Sequence, residues 1–198
     1  MVYETVVVLR PDLSEEILTK FIQTFKDALK SFEGEILVED NWGIKAFAQA
    51  TKSNQTRGLY LYFMYRAKGD ANFELERNNR INENVIRFLT VLVGPEAKAE
   101  AFKQAYVKPS QSRGENRREA EKEKKMFSKK RSCYFSANKT QPDWKDPNTY
   151  SWLVNEFGKI SPARLTGLRP KYQRMANSAI KRARIVGLMS YVSNNIAN

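Results

Sequence analysis

The chain opens on a β-branched run, Tyr3 to Arg10 (YETVVVLR), halted by Pro11. That pattern predicts a strand. From Ile17 the apolar positions change period: Ile17, Leu18, Phe21, Ile22, Phe25, Ala28, Leu29 and Phe32 form one stripe over four helical turns. Asp12 or Ser14 is positioned to cap this helix, Glu15 and Glu16 suit its positive end, and Gly34 is expected to end it in a left-handed conformation. Glu35 to Val38, a polar corner at Glu39-Asp40-Asn41, and Trp42 to Ala50 follow as extended segments. Gly58 opens a longer run, LYLYFMYRA. Segment 70–82 reads as a helix capped by Asp70, with Phe73, Leu75 or Glu76, and Ile81 at helical spacing. Val85 to Val93 reads as a last strand. The order β-α-β-β-α-β is the split βαβ plan, a four-stranded antiparallel sheet with both helices on one face.

Beyond Gly94-Pro95 the pattern weakens. Residues 97–106 suit a short helix or an ordered tail. Residues 108–118 (KPSQSRGENRR) have linker composition, and 119–131 (EAEKEKKMFSKKR) offer little to bury, so they read as a solvated tether or an arm that orders on a partner. Apolar content returns at Cys133 to Phe135. A helix is expected from about Asn148 to Phe157, ended by Gly158; Ser161-Pro162 reads as a cap followed by a proline at the first helical position, and Thr166-Gly167 stops that turn. The last helix starts near Pro170 and reaches at least Gly187. Tyr172, Met175, Ala176, Ala179, Ile180, Ala183 and Val186 fall on one side. Lys171, Arg174, Lys181, Arg182 and Arg184 fall on the other with Ser178, and Ile185 breaks the pattern by landing among the bases.

Charge sharpens this division. Residues 110–198 hold 19 Lys and Arg against 7 Asp and Glu, whereas residues 1–109 hold 15 of each. The net charge of +12 therefore belongs to the second half. Charge sorted in this way concerns partners rather than fold, and it points to a polyanion. Five bases and no acid along the last helix make a row of phosphate donors, Arg as a planar fork and Lys as a mobile point charge. An anionic membrane is a poorer match, because the apolar side is alanine-rich; no apolar run approaches the ~20 residues of a span. The chain has no histidine and a single cysteine, Cys133. The common general bases and nucleophile pairs are thus missing, no internal disulfide can form, and no convergent set of titratable groups suggests catalysis. No cofactor, metal site or small-molecule substrate is expected. Cys133 is expected to be a small buried thiol.

Arg57-Gly58 leading into an aromatic strand suggests an RNA-recognition motif, which shares the β-α-β-β-α-β order. Only those two residues fit its consensus, so Tyr60, Tyr62 and Tyr65 are expected to be strand aromatics that cover the sheet or meet a partner.

Two resemblances bear on these elements. Gly158 to Val192, through Gly158-Lys159-Ile160, Pro162, Arg164, Thr166-Gly167, Lys171-Tyr172-Gln173-Arg174 and Ala179 to Arg184, closely resembles bacterial-type small-subunit ribosomal protein eighteen. The first half resembles small-subunit ribosomal protein six, through Tyr3-Glu4, Pro11-Asp12, Glu39 with Trp42-Gly43, Gly58-Leu59-Tyr60 and Asn84 to Arg87. Ile44 to Ala48 departs from that family's usual run, and joining both families on one chain is the larger departure. The resemblance implies an α+β chain: a ferredoxin-like domain at 1–105, a charged linker or RNA-ordered arm at 106–131, and a small helical basic domain at 132–198. It implies a structural, non-catalytic component of the small ribosomal subunit, in a bacterial cytoplasm or an organelle. The implied partners are the central domain of small-subunit ribosomal RNA, neighbouring ribosomal proteins, and the other module of the same chain, with no membrane partner. Arg164, Arg169, Lys171, Arg174, Lys181, Arg182 and Arg184 are the expected RNA contacts, and Arg77, Arg80 and Arg87 weaker candidates. The competing expectation is a DNA-binding regulator using the basic helix 170–187, with helix 148–157 as the other half of a helix-turn-helix. The long, proline-containing connection between those helices disfavours it.

Overall fold

The structure is a computed structural model that describes residues 1–51, 54–109 and 133–192. The chain divides into two compact units, Met1–Lys108 and Pro109–Asn198.

The first unit runs β1 (Val2–Leu9), α1 (Glu15–Ser31), β2 (Glu35–Ala46), β3 (Arg57–Arg66), α2 (Gly69–Ile81), β4 (Val85–Gly94), a 3-10 turn (Glu96–Lys98) and α3 (Ala99–Gln104). The sheet order is β2-β3-β1-β4 and every pair is antiparallel. This is the split βαβ, ferredoxin-like arrangement. β1 and β3 are central, which explains why their sequences are apolar on both faces. Val7, Leu9, Leu61, Phe63 and Tyr65 turn toward Phe25 and Leu29 of α1 and Ala71 and Leu75 of α2. Phe25 and Phe63 stack at 4.3 Å and 18° within this layer.

Several local expectations are corrected. Ser14 caps α1, its side chain accepting from the Ile17 N–H, while Asp12 pairs with Arg10 at 3.1 Å. The left-handed residue after α1 is Glu33 rather than Gly34, and the Gly34 N–H returns to the Leu29 carbonyl. The polar stretch Glu39-Asp40-Asn41 is not a corner. β2 runs straight through it, with register shifts at Ile36/Val38 and Asn41/Gly43. The second shift seats Gly43 at φ +74, its N–H held by Asn41 Oδ1 at 2.8 Å. α2 begins after Lys68 without a side-chain cap, leaving Asp70 in its first turn. Its buried stripe is Ala71, Leu75 and Asn79, spaced by four, so Phe73 is left 78% exposed.

The opposite face of the sheet is also closed. Trp42, Tyr60, Tyr62, Val6 and Val8 lie there, all essentially inaccessible. Tyr106, from the segment after α3, stacks on Tyr62 at 4.6 Å and 16°. Its hydroxyl accepts from Trp42 Nε1 at 2.8 Å and donates to Asp40 Oδ2 at 2.7 Å. Lys108 Nζ binds Asp40 and the Asn41 carbonyl, each at 2.7 Å. Residues 106–108, expected to be linker, are therefore bonded into the first unit. The remainder of that linker, from residue 110 to 131, lies outside the described residues.

The second unit contains α4 (Tyr134–Ala137), 3-10 turns at Pro147–Thr149 and Ser151–Leu153, α5 (Ala163–Thr166) and α6 (Pro170–Ile185). The helix expected at 148–157 does not form. Asp146 caps the first short turn through the Asn148 N–H, Tyr150 leaves helical geometry at φ −141, and Val154 makes an isolated bridge with Ile160. Asn155 Oδ1 accepts from the Phe157 and Lys159 N–H groups, and Gly158 sits at φ +77, which closes a hairpin-like loop. The irregular path buries Trp144, Tyr150, Trp152 and Leu153 together, where a regular helix would have spread them around its axis. Phe135, Tyr150, Trp152, Leu153, Leu168, Ala176, Ala179, Ile180 and Ala183 are all buried. Pro162 is the N-cap of α5 rather than its first residue, and Gly167 ends it at φ +72. α6 begins at Pro170 as expected, and it stops at Ile185 with Gly187 left-handed just beyond.

Candidate nucleic-acid interface

α6 is amphipathic in an unusual sense: its inner face is mostly alanine and its outer face mostly cationic. Ala176, Ala179, Ile180 and Ala183 are buried, and the small side chains let the helix axis approach the aromatic core closely. Phe135 meets Tyr172 at 5.8 Å on that side. On the other side Lys171, Arg174, Ser178, Lys181 and Ile185 are all exposed, at successive spacings of three and four. These positions share one face. Lys171 to Lys181 spans about 15 Å along the axis at ~1.5 Å per residue.

Arg164 on α5 and Arg169 at the α6 N-cap are exposed as well, and Arg182 is half-buried. Their placement is fixed by a polar staple. Gln173 Nε2 donates to the Ser161 carbonyl at 3.0 Å, and the buried Thr166 hydroxyl donates to Gln173 Oε1 at 3.3 Å. The Arg169 N–H reaches Cys133 Sγ at 3.4 Å. Burial pushes that thiol up, but the bonds from Arg169 and Ser136 outweigh it and hold it below its ordinary value. Cys133 is buried, as expected, and anchors the loop before α6. Gln173 and Thr166 were not singled out as functional in the sequence, since neither carries charge; their offset of seven across a glycine stop was the available signal.

Six of the seven expected contact residues share one property. Among the described residues, Arg164, Arg169, Lys171, Arg174, Lys181 and Arg182 form no salt bridge, whereas Lys145 pairs with Asp143 at 3.1 Å. Arg184 differs. Its guanidinium donates to the Gly158 carbonyl and, at 3.1 Å, to the Ser190 carbonyl, and it lies 5.6 Å from the Tyr191 ring. It ties the turn after α6 to the 155–160 loop, facing its own main chain.

In the neutral unit, Arg77 pairs with Glu74 at 3.2 Å and Arg87 lies over Phe47. Tyr60, Tyr62 and Tyr65 are all fully buried, so this sheet presents no tyrosine platform to a base. Among the described residues no cluster of three metal-ligating side chains exists, and no helix is long and apolar enough to cross a membrane. With only two short 3-10 turns and no α-helix over residues 148–157, the first helix expected for a helix-turn-helix does not form.

A neutral ferredoxin-like unit and a basic helical unit on one chain define a two-module protein, and comparison with known proteins identifies each module. The family model "Ribosomal protein S6" matches residues 2–92, and "Ribosomal protein S18" matches residues 138–189. The small ribosomal subunit protein bS6 of Sulfurovum sp. (strain NBC37-1) is 43% identical over 89 residues, covering 45% of this chain and 69% of that protein. The bS18 protein of Cytophaga hutchinsonii is 54% identical over 54 residues, covering 27% of this chain and 65% of that protein. The crystal structure of 30S ribosomal protein S6 from Thermotoga maritima is similar at 24% identity and a TM-score of 0.45, over 52% of this chain and 96% of that one. The chain belongs to the ribosomal protein S6 family, and its residues 138–189 match the ribosomal protein S18 model; it is a small-subunit ribosomal protein with bacterial-type relatives. Neither family is one of enzymes.

Proposed function

We propose that this chain does the work of two adjacent small-subunit proteins on one polypeptide. The basic unit holds the folded central domain of small-subunit ribosomal RNA through Arg164, Arg169, Lys171, Arg174, Lys181 and Arg182, by neutralising phosphates without chemistry. The neutral unit meets neighbouring ribosomal proteins. Joining the two modules on one chain raises their effective concentration for each other, so that one docked module recruits the other. Its place is the ribosome, bacterial or organellar. The observation that supports this reading best is the outer face of α6: three bases in line, two more at its approach, and, among the described residues, no carboxylate paired with any of them. A merely solvated helix face mixes signs. Arg184 supports the same surface from behind, by fixing the turn that follows the helix.

Co-sedimentation tests it. The chain is expected to travel with small ribosomal subunits at low salt, and Lys181→Glu with Arg182→Glu is expected to release it at lower salt than wild type. Equal release of both proteins at every salt concentration would count against the RNA contact.

A further inference from the structure

The second face of the first unit's sheet carries an aromatic stack, and the ring ending that stack comes from outside the sheet. Trp42 lies nearly parallel to Tyr62, at 5.3 Å and 17°. Tyr106 then covers Tyr62 from outside at 4.6 Å and 16°. A planar ring laid on a strand tyrosine at this separation and tilt occupies the volume that a stacked nucleobase takes on an RNA-binding sheet. The surroundings suit such a ligand: Lys45 Nζ lies 5.0 Å from the Trp42 ring, and Arg87 covers Phe47 at the other end of the row. Two carboxylates oppose it: Asp40, which the strap neutralises with Lys108, and the buried Glu4, whose Oε2 accepts from the Tyr62 hydroxyl at 3.1 Å. The ring is delivered by residues 95–108, which lie beyond the S6 family match at 2–92. They are fastened by Phe102 against Gly94, Glu96 to Arg66 at 3.1 Å, and the Tyr106 and Lys108 bonds to Asp40.

We propose that Tyr106 is a built-in plug: it occupies a ring-stacking site on the second sheet face that otherwise takes a base of single-stranded RNA. The strap thereby restricts RNA binding to the basic unit. This goes beyond the function proposed above, and each can fail without the other, because stacking persists at salt concentrations that abolish phosphate contacts.

The test uses the full chain and a single-stranded oligoadenylate at about 0.5 M salt, where the Debye length falls to a few ångströms and the basic row contributes little. Tyr106→Ala is expected to bind at least about tenfold more tightly than wild type, the lower part of the range for one base–aromatic stack, with quenching of Trp42 emission. Tyr106→Phe keeps the ring and is expected to behave as wild type. Lys108→Ala loosens the strap without touching the core and is expected to show the same gain to a smaller degree. In all of them the Trp42 indole N–H resonance reports opening by its exchange with solvent. An exposed Trp42 indole in Tyr106→Ala with no gain in binding overturns the proposal. So does wild type binding as tightly as Tyr106→Ala at this salt.

Discussion

Replacing Lys171, Arg174 and Lys181 together by Gln separates phosphate contact from mere positive composition, because all three lie exposed on one face of α6 and none is salt-bridged among the described residues. Each phosphate neutralised contributes about 0.7 to 0.9 to the slope of log affinity against log salt. Losing three contacts therefore lowers the slope by about 2 to 3. Between about 50 and about 200 mM salt, wild type is expected to lose about thirtyfold more affinity than the variant. Arg184→Gln is the internal control. It removes the same charge from the same helix, but that guanidinium is bonded to the Gly158 and Ser190 carbonyls. It is expected to leave the slope unchanged and to cost about 2 kcal/mol of stability, the scale of hydrogen bonds from a charged donor. Fluorescence anisotropy against a central-domain fragment of small-subunit ribosomal RNA, at several salt concentrations, reads the first quantity, and thermal unfolding reads the second. An unchanged slope in the triple variant, or a drop of a full contact in Arg184→Gln, would refute the assignment of faces.

Two further outcomes follow from the fold. Gly158→Ala is expected to destabilise the second unit by at least about 1 kcal/mol, because a left-handed residue gains a Cβ that meets the Tyr191 carbonyl oxygen; a melting temperature equal to wild type would exclude this packing. Asp40 sets the acid response of the strap: burial pushes its carboxyl up, but the Lys108 ammonium and the Tyr106 hydroxyl outweigh that and hold it below its ordinary value. A depressed folded-state value means the contribution is complete above the ordinary carboxylate range and disappears as pH falls through the lower folded value. Trp42 indole N–H protection is therefore expected to fall in that acid window in wild type, while Asp40→Asn shows its weakened protection at every pH; parallel acid profiles would contradict the role of Asp40.

What was legible in the sequence was local. The valine run of β1, the period of α1, Gly167 as a stop and Pro170 as a start follow from backbone preferences that neighbouring residues decide, and the β-α-β-β-α-β element order follows from them. What was not legible depends on distant partners. Tyr150, Leu153 and Phe157 have helical spacing, yet Asp146, Asn155 and Gly158 bend their backbone so that Trp144 and Trp152 are both buried and Phe157 points outward. Arg184 lies in the basic row by sequence and faces carbonyls that approach only once the chain turns back at Gly187. Tyr106 sits at the edge of a stretch whose composition reads as linker, and only Trp42 and Asp40, more than sixty residues earlier, give it a place.

The central claim, that the outer face of α6 lies on ribosomal RNA, is tested most directly at Ser178, which is exposed between Arg174 and Lys181 on that face. A photoreactive side chain introduced there, in chain assembled into small ribosomal subunits and irradiated, is expected to cross-link to small-subunit ribosomal RNA. Cross-links to protein alone, or none from particles that contain the chain, would contradict it.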